Sequence, residues 1–314
     1  CKFDVAYDGD GDVSGGVSDY WVKGKDGADF NYSDGITGDI PAITNDVWVD
    51  PNNGVNEGNI IGDINNPFLT INYAMSMVYS ITPDNPAIIY IVGTIDSDTE
   101  SFPIIISSSV TIHGYEENAT LDAELTSTVL RFENVDYSTV IRNLTITRGN
   151  NTWGGGIIMN NSYPILSDVT LSNNSAESSY IAKGGGIYCG NSDPILNRVL
   201  LNNNSAKNGG GLSLANSEPL ISNATISGNG NSETANSGGG IHIASNAHLS
   251  LINSIIWDNG LAGEISGSGE TTVTYSDIQG GWDDEAALSL KGFVRNGGVG
   301  VDLLHIVTII KRVE

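Results

Sequence analysis

A glycine triplet returns four times in this chain, at Gly154–Gly156, Gly184–Gly186, Gly209–Gly211 and Gly238–Gly240, with start-to-start spacings of 30, 25 and 29 residues. Self-similarity at such a period marks a solenoid, in which each unit buries its apolar side only against its neighbours. Ten residues after each triplet begins stand Pro164, Pro194, Pro219 and His248. Spacing inside a unit therefore holds while the distance between units varies, so the variable part is a loop. Behind the triplets, Ile157 and Met159, Ile187 and Cys189, Leu212 and Leu214, and Ile241 and Ile243 share one phase. In a strand that phase sends them to one face, and they are predicted to form the core. Val169 and Leu171, Val199 and Leu201, Ala224 and Ile226, and Ile255 in a lengthened unit repeat behind the prolines. Two or three short strands per repeat is the size of one coil of a parallel β-helix.

Asparagine keeps the same register. Asn174, Asn204, Asn229 and Asn259 follow the second strand of each unit, and Asn161, Asn191 and Asn216 follow the first. In stacked coils such residues lie about 4.8 Å apart, close enough for their amides to bond in ladders. A third column holds Asn143, Asp168, Arg198, Asn223 and Asn253, where Asp168 and Arg198 are predicted to pair across adjacent coils. The Asn-x-Ser/Thr triplets that result are accounted for by the repeat.

Composition agrees with a turn-dense β protein, because the 39 glycines and many asparagines tolerate the positive-φ positions of tight turns. A formal charge of −24, from 37 acidic against 13 basic residues, repels nucleic acid phosphates and anionic lipid headgroups and favours divalent cations. Two cysteines make no disulfide framework: Cys189 falls at an inward phase as a small hydrophobe, and Cys1 is terminal. Cys1 is either a lipid-bearing residue or a fragment boundary. No apolar run approaches the roughly 20 residues of a membrane-spanning helix, so no transmembrane segment is expected.

Three regions divide the chain. Residues 1–46 are acidic and show no repeat phase. Within them Asp8, Asp10 and Asp12 alternate with glycine, an arrangement that collects hard oxygen ligands on one loop and makes Ca2+ the candidate cation. Loop position 12 is Asp19 instead of the bidentate Glu of a complete calcium loop. Residues 47–282 hold the solenoid. It begins with a strand at Val47–Asp50, and Pro67–Tyr79 carries Phe68, Ile71, Ala74, Met75 and Val78 at helical spacing, with Thr70 placed as the cap. Such a helix is expected to cover the open end of the first coil. Residues 283–314 form an atypical tail with 4 of the 13 basic residues.

The units Gly184-Gly185-Gly186-Ile187-Tyr188-Cys189-Gly190-Asn191-Ser192-Asp193-Pro194-Ile195-Leu196 and Asn253-Ser254-Ile255-Ile256-Trp257-Asp258-Asn259-Gly260, with Asn66-Pro67-Phe68-Leu69-Thr70-Ile71 upstream, resemble secreted bacterial right-handed parallel β-helix proteins of the pectin-lyase-like superfamily. The resemblance covers roughly residues 47–282. It implies an all-β, right-handed parallel β-helix with a short N-terminal capping helix, and a secreted or cell-surface location. It implies no single activity, since that superfamily holds lyases, hydrolases, adhesins and proteins without an assigned reaction. After Thr274–Trp282, which resembles the family's last coil, the text departs from the family's usual continuation.

Three outward columns carry the candidate chemistry. Ile158, Tyr188, Ser213 and His242 stand between the inward residues, Trp153, Lys183, Asn208 and Ser237 precede the triplets, and Tyr163, Asp193, Glu218 and Ala247 precede the repeat position of the prolines. Rings stack on the apolar faces of sugars while polar groups take the hydroxyls, so Trp153, Lys183, Tyr188, Ser213 and His242 are the expected ligand-binding set for a polysaccharide or cell-surface glycan. An enzymatic alternative, a polysaccharide lyase or glycoside hydrolase, would use Asp193 and Glu218 as paired carboxylates and Lys183 as base. Its columns lack the acid cluster a lyase uses to hold Ca2+ against a uronate. The remaining alternative is a passive structural or adhesin stalk, and a monomer is expected. No zinc signature, phosphate loop or nucleophile elbow is present.

Overall fold

The computed structural model describes residues 5–6, 21–23 and 29–31, and residues 46–57, 62–78, 82, 86–115, 119–177, 182–230, 239–260 and 263–281. Two compact units divide the chain, residues 1–43 and 44–314. Within the first, Val5–Ala6 pairs antiparallel with Trp21–Lys23, which pairs antiparallel with Asp29–Asn31. Cys1, the Asp8, Asp10 and Asp12 loop, and the tail 283–314 lie outside the described residues.

The second unit is an all-β parallel solenoid of about seven turns. Its strands stack coil upon coil in two main sheets. One, the triplet sheet, runs through Ile104–Ile106, Leu130–Glu133, Ile157–Asn160, Ile187–Gly190, Leu212–Ala215, Ile241–Ile243 and Ile265–Gly267. The other begins at Val47–Val49, continues through Ala87–Ile91, Val110–Gly114, Val140–Thr147 and Ile165–Ser172, and ends at Glu270–Thr274. The register is the one the triplets predict: Ile157 pairs with Ile187, Ile187 with Leu212, and Leu212 with Ile241. All four are fully buried, as are Met159, Cys189 and Leu214. The inward residue of the lengthened unit, however, is Ile256 and not Ile255. Ile226 pairs with Ile256, which is buried, while Ile255 is exposed, because the unit gains its extra residue before this strand.

The triplet has a steric cause. Its first glycine takes φ near +60°, at Gly154, Gly184 and Gly209, where a side chain is strained. The third lies under the backbone of the next coil: a Cβ on Gly186 would meet the Gly211 carbonyl oxygen at 2.6 Å and the Asn204 amide carbon at 3.3 Å. Triplet and asparagine column are therefore one device, in which the missing side chain makes room for the amide. Inside the coil Asn204 is 1% exposed. Its Oδ1 accepts from the backbone N–H and Nδ2 of Asn174 at 3.1 and 2.9 Å, and its own Nδ2 donates to Asn229 Oδ1 at 2.9 Å and to the Leu171 carbonyl at 2.9 Å. Asn229 repeats the pattern onto Asn259. Glu264 ends the ladder by accepting from Asn259 Nδ2 at 2.5 Å. A second buried ladder, of Ser162, Ser192 and Ser217, carries each serine's backbone N–H to the next hydroxyl at 3.0 Å.

Left-handed residues make the corners. Asn143, Asp168, Arg198, Asn223, Asn253 and Tyr275 all have φ near +50° in one column, and Asn134, Asn161, Asn191 and Asn216 form another. Asparagine and aspartate are the residues that visit this region at least cost. At the N-terminal end a helix spans Ile71–Met77, with Thr70 Oγ1 accepting from the Tyr73 N–H. It is shorter than the spacing predicts. Phe68 reaches the core as an extended residue, donating to the Trp48 carbonyl and accepting from the Asp50 N–H, and Pro67 before it favours extended backbone in the preceding residue. Ile71 and Ala74 are buried, and the helix packs on Val47–Val49, Ala87–Ile91 and Ile104–Ile106. Glu100, 5% exposed, anchors the helix by accepting from the Ile71 N–H at 2.6 Å and from Asn72 Nδ2 at 2.6 Å.

Candidate functional site

The outer side of the triplet sheet places Ile158, Tyr188, Ser213 and His242 on successive strands, each paired with the next. Trp153 bridges to Lys183, and Lys183 to Asn208, one column away. The indole of Trp153 lies 5.3 Å from the Tyr188 ring at 31°, and Ser213 Oγ stands 3.4 Å from His242 Nδ1. These five residues therefore do converge. They do not form an open row of rings: Tyr188 is 8% and Ser213 1% exposed, whereas Trp153 is 42% exposed. Burial pushes the Tyr188 phenol up, and burial with the Lys183 charge pulls the His242 imidazole down, so both are neutral at neutral pH. Chemically this is one accessible indole laid on a covered phenol, with a cation and a neutral imidazole beside it.

The paired carboxylates behave differently. Asp193 Oδ1 accepts from the Glu218 backbone N–H at 2.6 Å, so Asp193 ties one coil to the next while the Glu218 side chain is exposed. Lys183 precedes the strand Ile187–Gly190 and Asp193 follows it, which sets the proposed base and acid beyond opposite ends of that strand. Among the described residues no three His, Cys, Asp or Glu side chains gather as a metal site. Arg198 and Asp168 do pair across coils, Nε to Oδ1 at 2.5 Å and the second guanidinium nitrogen to Oδ2 at 2.6 Å. At this exposure water and salt screen such a pair, and it contributes little to stability.

A second cluster escapes any reading of the triplets. On the outward side of the other sheet Trp48 pairs with Tyr90, Tyr90 with His113, and His113 with Arg142. Trp48 and Tyr90 stack with centroids 4.6 Å apart at 24°, His113 tilts on Tyr90 at 5.2 Å, and Tyr115 stands edge-on to Tyr90 at 5.7 Å and to Trp48 at 6.4 Å. Trp48 Nε1, His113 Nδ1 and Arg142 Nε are buried without a hydrogen-bond partner, and Asn202 Oδ1 is the other such atom among the described residues. Leaving a buried polar atom unpaired costs about 1–3 kcal/mol, so three in one column is an unusual concentration. Burial and the Arg142 charge hold the His113 imidazole below its ordinary value. In the sequence the only signal is the outward phase of these residues in their strands, since their spacings of 42, 23 and 29 follow no repeat.

No curated protein and no solved structure matches the chain. Among the described residues no helix is long and apolar enough to cross a membrane. One family model does match, over residues 53–286, from the turn after the first solenoid strand to beyond the last described coil. That span is about three quarters of the 314 residues, and the chain accordingly belongs to the family described as "Protein of unknown function (DUF1565)".

Proposed function

We propose that this chain is a binding protein without turnover, secreted or held at a cell surface, that retains carbohydrate or another surface polymer on the outside of its solenoid. The observation that carries the reading is the exposed Trp153 indole lying on Tyr188, with Lys183, Ser213 and His242 gathered beside it on backbone that neighbouring coils hold rigid. A flat ring on a stiff sheet stacks on a sugar at little cost in conformational entropy. Enzymatic turnover is the weaker alternative because Asp193 is committed to the Glu218 amide and stands away from Lys183. The test is retention of the full chain on plant, algal and bacterial polysaccharides, with product assays on the same mixtures. Retention on at least one polymer is expected, weakened about tenfold by Trp153→Ala, equivalent to about 1.4 kcal/mol. Failure to bind any polymer, or release of unsaturated uronates or reducing ends, overturns the proposal.

A further inference from the structure

Trp48, Tyr90, His113 and Arg142 occupy four adjacent strands, so the column spans about 14 Å across the sheet at one interstrand spacing per step. We propose that this column, with Tyr115, is a second binding site, for a saccharide of more than one ring that carries an anionic substituent, a carboxylate or a sulfate, placed at Arg142. Its strands offer no edge for a peptide. Ala87–Ile91 and Val110–Gly114 are paired on both sides, and at the edge the Trp48 N–H and carbonyl are taken by Gly62 and Phe68. What the site lacks is acceptors: Trp48 Nε1 and Arg142 Nε are both donors without partners. A saccharide brings hydroxyl and ring oxygens to such donors and an apolar face to the rings.

Charge sets the direction of the ligand. Of the four described arginines, Arg131, Arg148 and Arg198 pair with Glu133, Asp122 and Asp168, whereas Arg142 pairs with no carboxylate among the described residues, in a chain of net charge −24. A guanidinium left out of the ion pairs that the other described arginines make can take an external anion with its forked donors. At the opposite end Asp46 Oδ2 lies 3.4 Å from the Tyr90 hydroxyl, which repels an anion from the Trp48 side. Tyr115 is 48% exposed and stands edge-on to both stacked rings, beside the covered donors.

The experiment is isothermal titration of the full chain with an oligoglucuronate, a sulfated oligoglucan and the neutral oligoglucan, with polyglutamate as a non-saccharide anion. One or both acidic saccharides should bind at least tenfold more tightly than the neutral one, and which of them does so identifies the substituent. Arg142→Gln should abolish that preference, and Arg198→Asn, which removes an exposed positive charge elsewhere, should preserve it. Should Arg142→Gln fail to fold, Arg142→Lys keeps the charge but not the forked donor, and should bind the acidic saccharide several-fold more weakly. Equal affinity for the neutral saccharide, an unaltered affinity in both Arg142 variants, or equal binding of polyglutamate overturns the proposal. The Arg142 variants leave Trp153 and Lys183 unaltered, so a preference that they abolish belongs to this column, and its fate is separate from that of the polymer-binding face.

Discussion

Asn174, Asn204, Asn229 and Asn259 stack inside the solenoid, while Asn191, Asn216 and Asn246 stack on its outside. Both columns repeat one residue type at one coil spacing and bond amide to amide. Inside, the oxygens of Asn204, Asn229 and Asn259 each accept two bonds from the asparagine of the preceding coil, and each Nδ2 of the stack also donates to a strand carbonyl, as Asn229 does to Leu201 at 2.7 Å. Outside, Asn216 Nδ2 donates to Asn191 Oδ1 at 3.0 Å where water competes for the same groups. The lesson is that stacking alone stabilises little. Burial turns the inner column into a set of bonds that have no replacement when one member is lost.

The sharpest way to break the comparison is Gly186→Ala, which drives a methyl against the Gly211 carbonyl and the Asn204 amide together. Chemical denaturation should show a loss above about 4 kcal/mol, or no folded protein; a loss below about 1 kcal/mol would mean the coils have slack at this seam. Asn204→Ala comes next. It removes the acceptor of two buried Asn174 donors and should cost about 2–4 kcal/mol by the same measurement. Asn216→Gly, on the outer stack, keeps the left-handed corner that φ +50° requires and loses only two exposed amide contacts, to Asn191 and from Asn246, so its effect should stay within about 0.5 kcal/mol. Equal losses for these two variants would erase the distinction between the columns.

Glu264 sharpens the point through pH. It ends the inner ladder as a carboxylate, and burial pushes it above its ordinary 4.5 despite the bonds from Asn259. A raised folded-state value means the folded chain holds this proton more tightly than the unfolded one. Its stabilising contribution is therefore complete below 4.5 and is lost as pH rises through the raised value. Glu264→Gln retains an acceptor without the charge, so it should be more stable than the parent at pH 7 and lose that advantage towards pH 4.5. Parallel denaturation curves at all pH values would refute the assignment.

Much of this was legible in the residues. Triplet spacing placed Ile187 over Leu212 and Tyr188 over Ser213, and column position matched Asp168 to Arg198, because parallel coils convert equal distances along the chain into vertical neighbours. Ile255 was misplaced by one residue, since the lengthened unit leaves no mark of where its extra residue sits. The Trp48, Tyr90, His113 and Arg142 column was not legible, because the early coils differ in length and no text aligns them.

Period and phase, then, determined by themselves that the chain winds into a parallel solenoid, which residues turn inward and which amides stack, for these depend on a two-residue alternation and a repeat of constant inner spacing. Tertiary structure alone decided which outward residues stay open. Trp153 remains accessible while Tyr188 beneath it is covered, and Arg142 pairs with no described acid although the three other described arginines find one. Accessibility and charge pairing depend on what neighbouring coils and loops bring alongside, and that is a property of distances in space which residue order does not carry.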